Sequence, residues 1–271
     1  MVHRVDDFEE NSINPITNTA YDDSWIVFTL TDCTNNFVFS GSENGCAYTI
    51  KVSRFMNTDW KLMVGDFIDY CKADGLNGIL AISKKDYDDA MAYYQGHKYN
   101  DPFIRESESP ILIHSTTMDS WMKIQKDGSL KSWNMLKKEG FIKEDYPIGK
   151  LICDPSNYSD YVMFGGHMSG EIVVSSKQAE KIIMDVTAEY KTGARLYFDA
   201  KKIAEDGLLI RDGAHLKVKN QLSLEPYLIW SATWDKIGLS SQISTPQIFA
   251  KTSDEIFKSK FKDIVKDYYN I

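Results

Sequence analysis

Ile111-Leu-Ile-His114-Ser-Thr-Thr117 and Leu196-Tyr-Phe-Asp-Ala-Lys-Lys-Ile-Ala-Glu-Asp-Gly207 decide how this chain is read. The first is a short apolar run that ends in a histidine and three consecutive hydroxyls. Such a run, bounded by polar residues, reads as a buried strand, and the hydroxyls suit the cap of a following helix. The second block is an apolar strand that runs into a charged helix and stops at glycine, a common helix-ending residue.

Working outward, residues 118–126 carry helical spacing with Asp119 in the first turn, and Gly128-Ser-Leu follows. Glu171-Ile-Val-Val-Ser reads as a strand from its β-branched residues. Residues 176–184 read as a helix, and 208–211, 215–218 and 227–229 as short strands. Residues 147–155 read as a loop and 252–271 as an outer helix. Upstream, residues 1–22 read as an irregular arm. Trp25-Ile-Val-Phe-Thr-Leu, Asn36-Phe-Val-Phe-Ser and Ala47-Tyr-Thr-Ile-Lys-Val-Ser read as strands joined by two antiparallel turns. A helix at 60–73, a buried strand at Gly78-Ile-Leu-Ala-Ile and a helix at 84–94 capped by Ser83 come next. Residues 95–110, polar and with two prolines, connect the halves. These patterns predict an α+β protein, with a smaller α+β module at 1–104 and a second domain at 105–271.

Composition narrows the function classes. In 271 residues, 43% hydrophobic and 26% charged content are those of a soluble globular protein with a sizeable core. The net charge of −8 argues against broad, nonspecific nucleic-acid binding, which needs an electropositive face. No apolar run has the length of a membrane span, and the polar, acidic start is no signal peptide. Cysteines 33, 46, 71 and 153 form no C-x-x-C pair, so neither a disulfide framework nor a metal site is expected, and the cytoplasm is the default location. There is no Gly-x-Gly-x-x-Gly, phosphate-loop or Gly-x-Ser-x-Gly pattern.

The serial order of the blocks resembles the catalytic half of the RNA 2'-phosphotransferases, members of the ADP-ribosyltransferase superfamily. Ile111-Leu-Ile-His114-Ser115-Thr116, then Trp121, Ile124, Gly128 and Leu130, is similar to that family's strand, histidine-glycine-threonine motif and helix. Leu196–Lys202, Asp206-Gly207-Leu-Leu-Ile, Arg211-Asp-Gly-Ala-His215-Leu and Glu225-Pro-Tyr227 follow in the family's order. Tyr94-Gln-Gly-His97 resembles its upstream Gln-Gly-His segment. Serine stands at 115 where the family has glycine, and the family's early arginines have no counterpart.

The resemblance implies split mixed or antiparallel sheets with flanking helices, and NAD as a substrate. It implies a nucleic-acid phosphate or base, or a protein, as acceptor, with no metal and no membrane. His114 would contact the ribose or nicotinamide, with Ser115 and Thr116 beside it. The alternative is a strand-end histidine satisfied by a backbone carbonyl. Arg195 would serve phosphate, or else form a surface ion pair. His97 would act as acid-base group or phosphate contact, or be an exposed loop histidine. Tyr161 or Phe164 would stack on nicotinamide with His167 nearby, or form a core strand before a glycine turn. Arg211 and His215 would line the cofactor, or sit in a solvated turn. Two functions are therefore expected in competition: an NAD-dependent transferase, and a catalytically degenerate nucleotide- or peptide-binding protein on the same fold.

Overall fold

Trp25-Ile-Val-Phe is apolar at every position, so a strand formed from it has to be covered on both faces. That requirement organises the first half of the computed structural model, which describes residues 1–8, 13–14, 16–34, 38–41, 47–97, 105, 108–142, 147–152, 154–166, 168–262 and 264. The elements are β1 (Val2–Val5), β2 (Trp25–Thr31), β3 (Val38–Gly41), β4 (Tyr48–Ser53), α1 (Trp60–Ala73), β5 (Asn77–Ala81) and α2 (Lys84–His97). They form one sheet in the order β1-β5-β2-β4-β3. Ile26 and Phe28 pack with Phe67 of α1 on one face. Trp25 and Val27 pack with Tyr21 and Phe8 on the other.

Two expectations are corrected here. Only β3 and β4 form an antiparallel pair; β2 lies parallel to β4 and to β5. β3 pairs with the outer edge of β4, since both edges of β2 are taken by parallel partners, β4 and β5. The first residues are no irregular arm either. β1 adds a parallel edge to β5, and Tyr21 closes the second face.

In the second half the elements are β6 (Ile111–Thr116), α3 (Met118–Asp127), β7 (Ser129–Lys131), α4 (Trp133–Lys138), β8 (Tyr161–Met163), α5 (Ser169–Ala179), β9 (Tyr190–Lys191), β10 (Ala194–Asp199), α6 (Ala200–Glu205), β11 (Leu209–Arg211), β12 (Leu216–Lys219), β13 (Gln221–Ser223), β14 (Leu228–Thr233), β15 (Ile243–Ser244) and α7 (Pro246–Lys260). The expected loop at 147–155 contains a 3-10 turn at Ile148–Ile152, and a second, Ser156–Asp160, leads into β8. Two antiparallel three-stranded sheets, β14-β10-β6 and β11-β12-β8, meet where the Gly165 N–H donates to the Ile113 carbonyl at 2.9 Å. The protein is thus α+β, with a largely parallel sheet followed by small antiparallel ones.

Caps explain several boundaries. Thr117 accepts from the Ser120 N–H at the start of α3, and Gly128 ends that helix in the left-handed region. Asp199 accepts from Lys202 N–H to start α6. Thr245, with Pro246 behind it, starts α7 six residues earlier than the 252–271 helix read from sequence. Glu171-Ile-Val-Val-Ser is helical rather than a strand. Its burial recurs at Glu171, Val174 and Ser175, the spacing of one helix face.

Gly193 precedes β10 and has no room for a side chain: a Cβ there would lie 1.7 Å from the Thr116 carbonyl oxygen and 2.7 Å from its carbon. Both neighbours are backbone and cannot rotate aside. Gly193→Ala is therefore expected to cost about 3 kcal/mol or more in a urea titration. A loss of a few tenths would mean that β6 and the turn before β10 do not meet as described.

Candidate functional site

Strand alternation divides the residues that the sequence grouped together. In the β6–β10 register Ser115 faces Arg195 and His114 faces Leu196. Directly opposed residues share a face, and neighbours along a strand alternate. Arg195 and Ser115 therefore lie on one side of the sheet, and His114 with Thr116 on the other.

On the Arg195 side a buried polar network lies beneath α5 and α7. Ser115 Oγ donates to Glu171, and the Tyr190 hydroxyl donates to the same carboxylate at 2.6 Å. Arg195 spans Asp254 with Nε at 3.0 Å and Nη2 at 3.1 Å, while Nη1 approaches Glu171 at 3.4 Å. The Tyr197 hydroxyl donates to Asp254 at 2.7 Å. Burial pulls the Arg195 pKa down, but Tyr197, Asp254 and Glu171 outweigh it and raise it. Burial raises the Glu171 pKa against the pull of Arg195. Arg195 is 0% exposed. Its three nitrogens are committed to joining β10 to two helices rather than to a phosphate, which corrects its expected role. Ser115 is likewise spent on Glu171 rather than on a ribose.

On the other side, His114 is half-buried and its Nδ1 lies 3.0 Å from the Met163 carbonyl. A carbonyl only accepts, so Nδ1 carries the proton and Nε2 keeps a lone pair. Burial lowers the His114 pKa, with the Met163 carbonyl acting the other way. The imidazole is thus held neutral. Phe164 stands edge-on to it, with centroids 6.3 Å apart, and leans on Phe198 at 5.8 Å. Thr116 is half-buried on the same side.

Tyr161 does not reach this corner. It alternates with Val162, which packs with Leu196 and Phe198, whereas Tyr161 packs with the first half. There the Tyr161 ring is one of three around Lys217 Nζ, with centroids at 3.9 Å for Tyr70, 3.9 Å for Tyr158 and 4.7 Å for Tyr161. Of the two aromatic candidates only Phe164 adjoins His114.

Lys217 belongs to a second polar centre that the sequence reading missed. Its Nζ lies 2.6 Å from Asp212, and both side chains are 0% exposed. Asp212 also accepts from the Tyr158 hydroxyl at 2.7 Å and from the N–H groups of Ala214 at 2.9 Å and His215 at 2.7 Å. Burial alone would raise the Asp212 pKa; His215 and Lys217 instead carry it well below the carboxylate range. A trace of it lay in Leu216-Lys-Val-Lys: alternation puts Lys217 and Lys219 on one face of β12 and Val218 on the other, and the lysine nearer the core can be held there only by an ion pair.

His215 and Arg211 flank this centre and are not a solvated turn. Arg211 binds Glu108 through two contacts, at 2.5 and 2.8 Å, and Arg105 pairs with buried Asp66 at 3.0 Å. Asn57, Asp66, Arg105, Glu108, Arg211 and His215, together with Met63 and Leu216, help to line a cavity of about 250 Å³. His97 ends α2 exposed, its ring stacked on Tyr93 at 3.9 Å and Nδ1 bonded to the Tyr93 carbonyl, so its partners belong to its own helix. His167 lies outside the described residues, as do parts of the expected 95–110 connection. Among the described residues no group of three or more His, Cys, Asp or Glu could hold a metal, and no helix is long and apolar enough to cross a membrane.

Arg195→Met would leave Glu171 and Asp254 without their cation, at an expected cost of about 3–5 kcal/mol near neutral pH. Glu171 in that variant keeps its proton to higher pH than in the unfolded chain, so the folded state binds more protons and the deficit shrinks towards about pH 5. A pH-independent deficit in chemical denaturation would contradict the network. Asp154 offers a second check: burial raises its pKa from 3.8 to about 6, against the pull of His215 and Lys217. Between those values the folded state holds a proton that the unfolded chain has released, so stability falls as pH rises from about 4 to about 6. Asp154→Asn, fixed in the neutral form, is expected to flatten that limb of the urea-midpoint profile.

Compared with protein-family models, curated proteins and solved structures, the chain finds no match in any of the three.

Proposed function

We propose that the chain is an NAD-consuming transferase of the ADP-ribosyltransferase kind, with the corner formed by His114, Thr116 and Phe164 as the nicotinamide-ribose end of its site. The observation that carries this reading is the His114 tautomer. With Nδ1–H given to the Met163 carbonyl, Nε2 is an acceptor aligned by the strand beside it. A ribose hydroxyl is the matching donor, so His114 would accept from the sugar rather than donate to it. Phe164 supplies an aromatic surface at the same corner, and Thr116 a small hydroxyl. The α+β class, with small antiparallel sheets joined at Ile113 and Gly165, is compatible with the fold that the sequence resemblance implies and supports the reading to that extent.

Bound NAD would supply a glycosidic bond whose cleavage leaves positive charge on the ribose. The acceptor would be a nucleic-acid phosphate or base, or a protein. A cytoplasmic setting agrees with the free thiols of Cys33 and Cys71. One observation favours the second reading, a degenerate nucleotide- or peptide-binding protein: Arg195 and Arg211, the cations expected for pyrophosphate, are both committed to carboxylates.

Incubation with NAD is expected to release nicotinamide and to raise the melting temperature; at 100-fold saturation the shift corresponds to about 2.7 kcal/mol. His114→Ala is expected to reduce release at least about 100-fold, the scale of one lost polar contact to the reacting sugar. A thermal shift without release would support the binding protein. Neither effect, at millimolar NAD, would remove the NAD reading altogether.

A further inference from the structure

A third arrangement lies apart from the His114 corner. Ser40, half-buried on the edge strand β3, places Oγ 3.0 Å from His215 Nε2. On the far side of the ring, His215 Nδ1 is 3.2 Å from Asp212 Oδ2 and 3.3 Å from Oδ1. Asp212 is a pure acceptor, so it fixes the proton on Nδ1 and leaves Nε2 to accept from the serine hydroxyl. The carboxylate is itself held by Lys217, Tyr158 and two backbone N–H groups. A hydroxyl, a base within hydrogen-bond reach and an acid that orients the base are the three parts of an activated serine.

We infer that Ser40, His215 and Asp212 form a nucleophilic acyl-transfer site that hydrolyses small esters. Ser40 is the nucleophile and His215 its general base; Asp212 is a positioning residue. The His215 side chain is 24% exposed and lines the 250 Å³ cavity, so the base is reachable from solvent; Ser40 lies across the imidazole from Asp212, next to the cavity rather than in its lining. That volume is below the usual range for drug-sized ligands and suits a short acyl group. Ser40 lies within β3 rather than in a Gly-x-Ser-x-Gly turn.

In the acylation step Ser40 Oγ forms a bond to the ester carbonyl carbon and its proton passes to His215 Nε2. The bond from that carbon to the leaving alcohol oxygen breaks, and the alcohol departs with the proton from His215. Water then attacks the acyl-serine, giving a proton to Nε2; the acid leaves and Ser40 recovers its hydrogen. No oxidant, reductant or further reactant is required.

A fluorophosphonate probe and p-nitrophenyl acetate test this on the full chain. The probe is expected to label Ser40, identified by peptide mass. Ser40→Ala and His215→Ala are expected to lose at least about 100-fold in labelling and in ester turnover, the contribution of a general base. Ser40→Cys keeps a nucleophile at the same atom, and the thiol it introduces is expected to react with iodoacetamide at least about tenfold faster than exposed Cys33 in the same molecule. Labelling that survives Ser40→Ala, absence of labelling in the folded protein, or an introduced thiol that reacts no faster than Cys33 would each overturn the assignment.

Discussion

The buried carboxylate of Asp212 is the constraint on which the meeting of the two halves depends. It accepts from Tyr158, Lys217 and two backbone N–H groups. The Lys217 ammonium in turn faces rings from both halves: Tyr70 on α1, Tyr158 and Tyr161 around β8. A buried ion pair of this kind adds little net stability relative to an apolar substitute, yet losing one partner strands the other charge in the interior. The turn between β11 and β12 is therefore held where Asp212 meets Lys217, Tyr158 and its own backbone N–H donors. Gly213, in the left-handed region at φ +92°, makes that docking close, since a Cβ there would meet the Met63 carbonyl at 2.9 Å and Phe28 at 3.0 Å.

The second constraint is alternation along β6 and β10. His114, Ser115 and Thr116 are contiguous in sequence, and a motif reading treats them as one contact surface. A strand separates them at once. Ser115 joins Arg195 and Glu171 under the helices, and His114 joins Phe164 on the opposite face. The same logic splits Tyr161 from Phe164, three positions apart across β8. Polar residues in an apolar strand thus mark two different interiors. One is a buried network closed by α5 and α7, with Asp254 at its partly exposed edge, and the other a corner in which His114 Nε2 keeps its lone pair.

Much of the second half was legible because its signals are local. Thr117, Gly128, Asp199 and Gly207 punctuate helices, and the short strands at 208–211 and 215–218 follow from turn residues on either side. What escaped the sequence was non-local. Pairing of β2 with β4 rather than with β3 depends on where α1 and β5 settle, and no periodicity within 25–53 encodes that. Glu171-Ile-Val-Val-Ser carries strand propensity, but the buried Arg195 demands a carboxylate from that segment, and only a helix presents Glu171 together with Val174. The centre built on Asp212 and Lys217 was overlooked because its members come from β3, α1, the turn before β8, and β12. Asp212 and His215 stood together in one motif, but Lys217 and Tyr70, which complete the centre, stood in none.

Three-residue β8 is where these interiors become one structure. Tyr161 turns its ring to Lys217 and its hydroxyl to Asp74, Val162 enters the apolar cluster behind His114, and the Met163 carbonyl fixes the His114 tautomer. One residue beyond Phe164, the Gly165 N–H ties the segment to Ile113. A slip of β8 by a single position would exchange its faces, expelling a tyrosine from the Lys217 cage and putting it against Phe198. The pairing of Val162 with Val218 on β12 prevents that slip, and β12 is itself anchored by Lys217. The register of a short strand therefore rests on an ion pair one residue away, and through that register the geometry at His114 is coupled to the Asp212–Lys217 pair, against which Tyr70 of the first half packs.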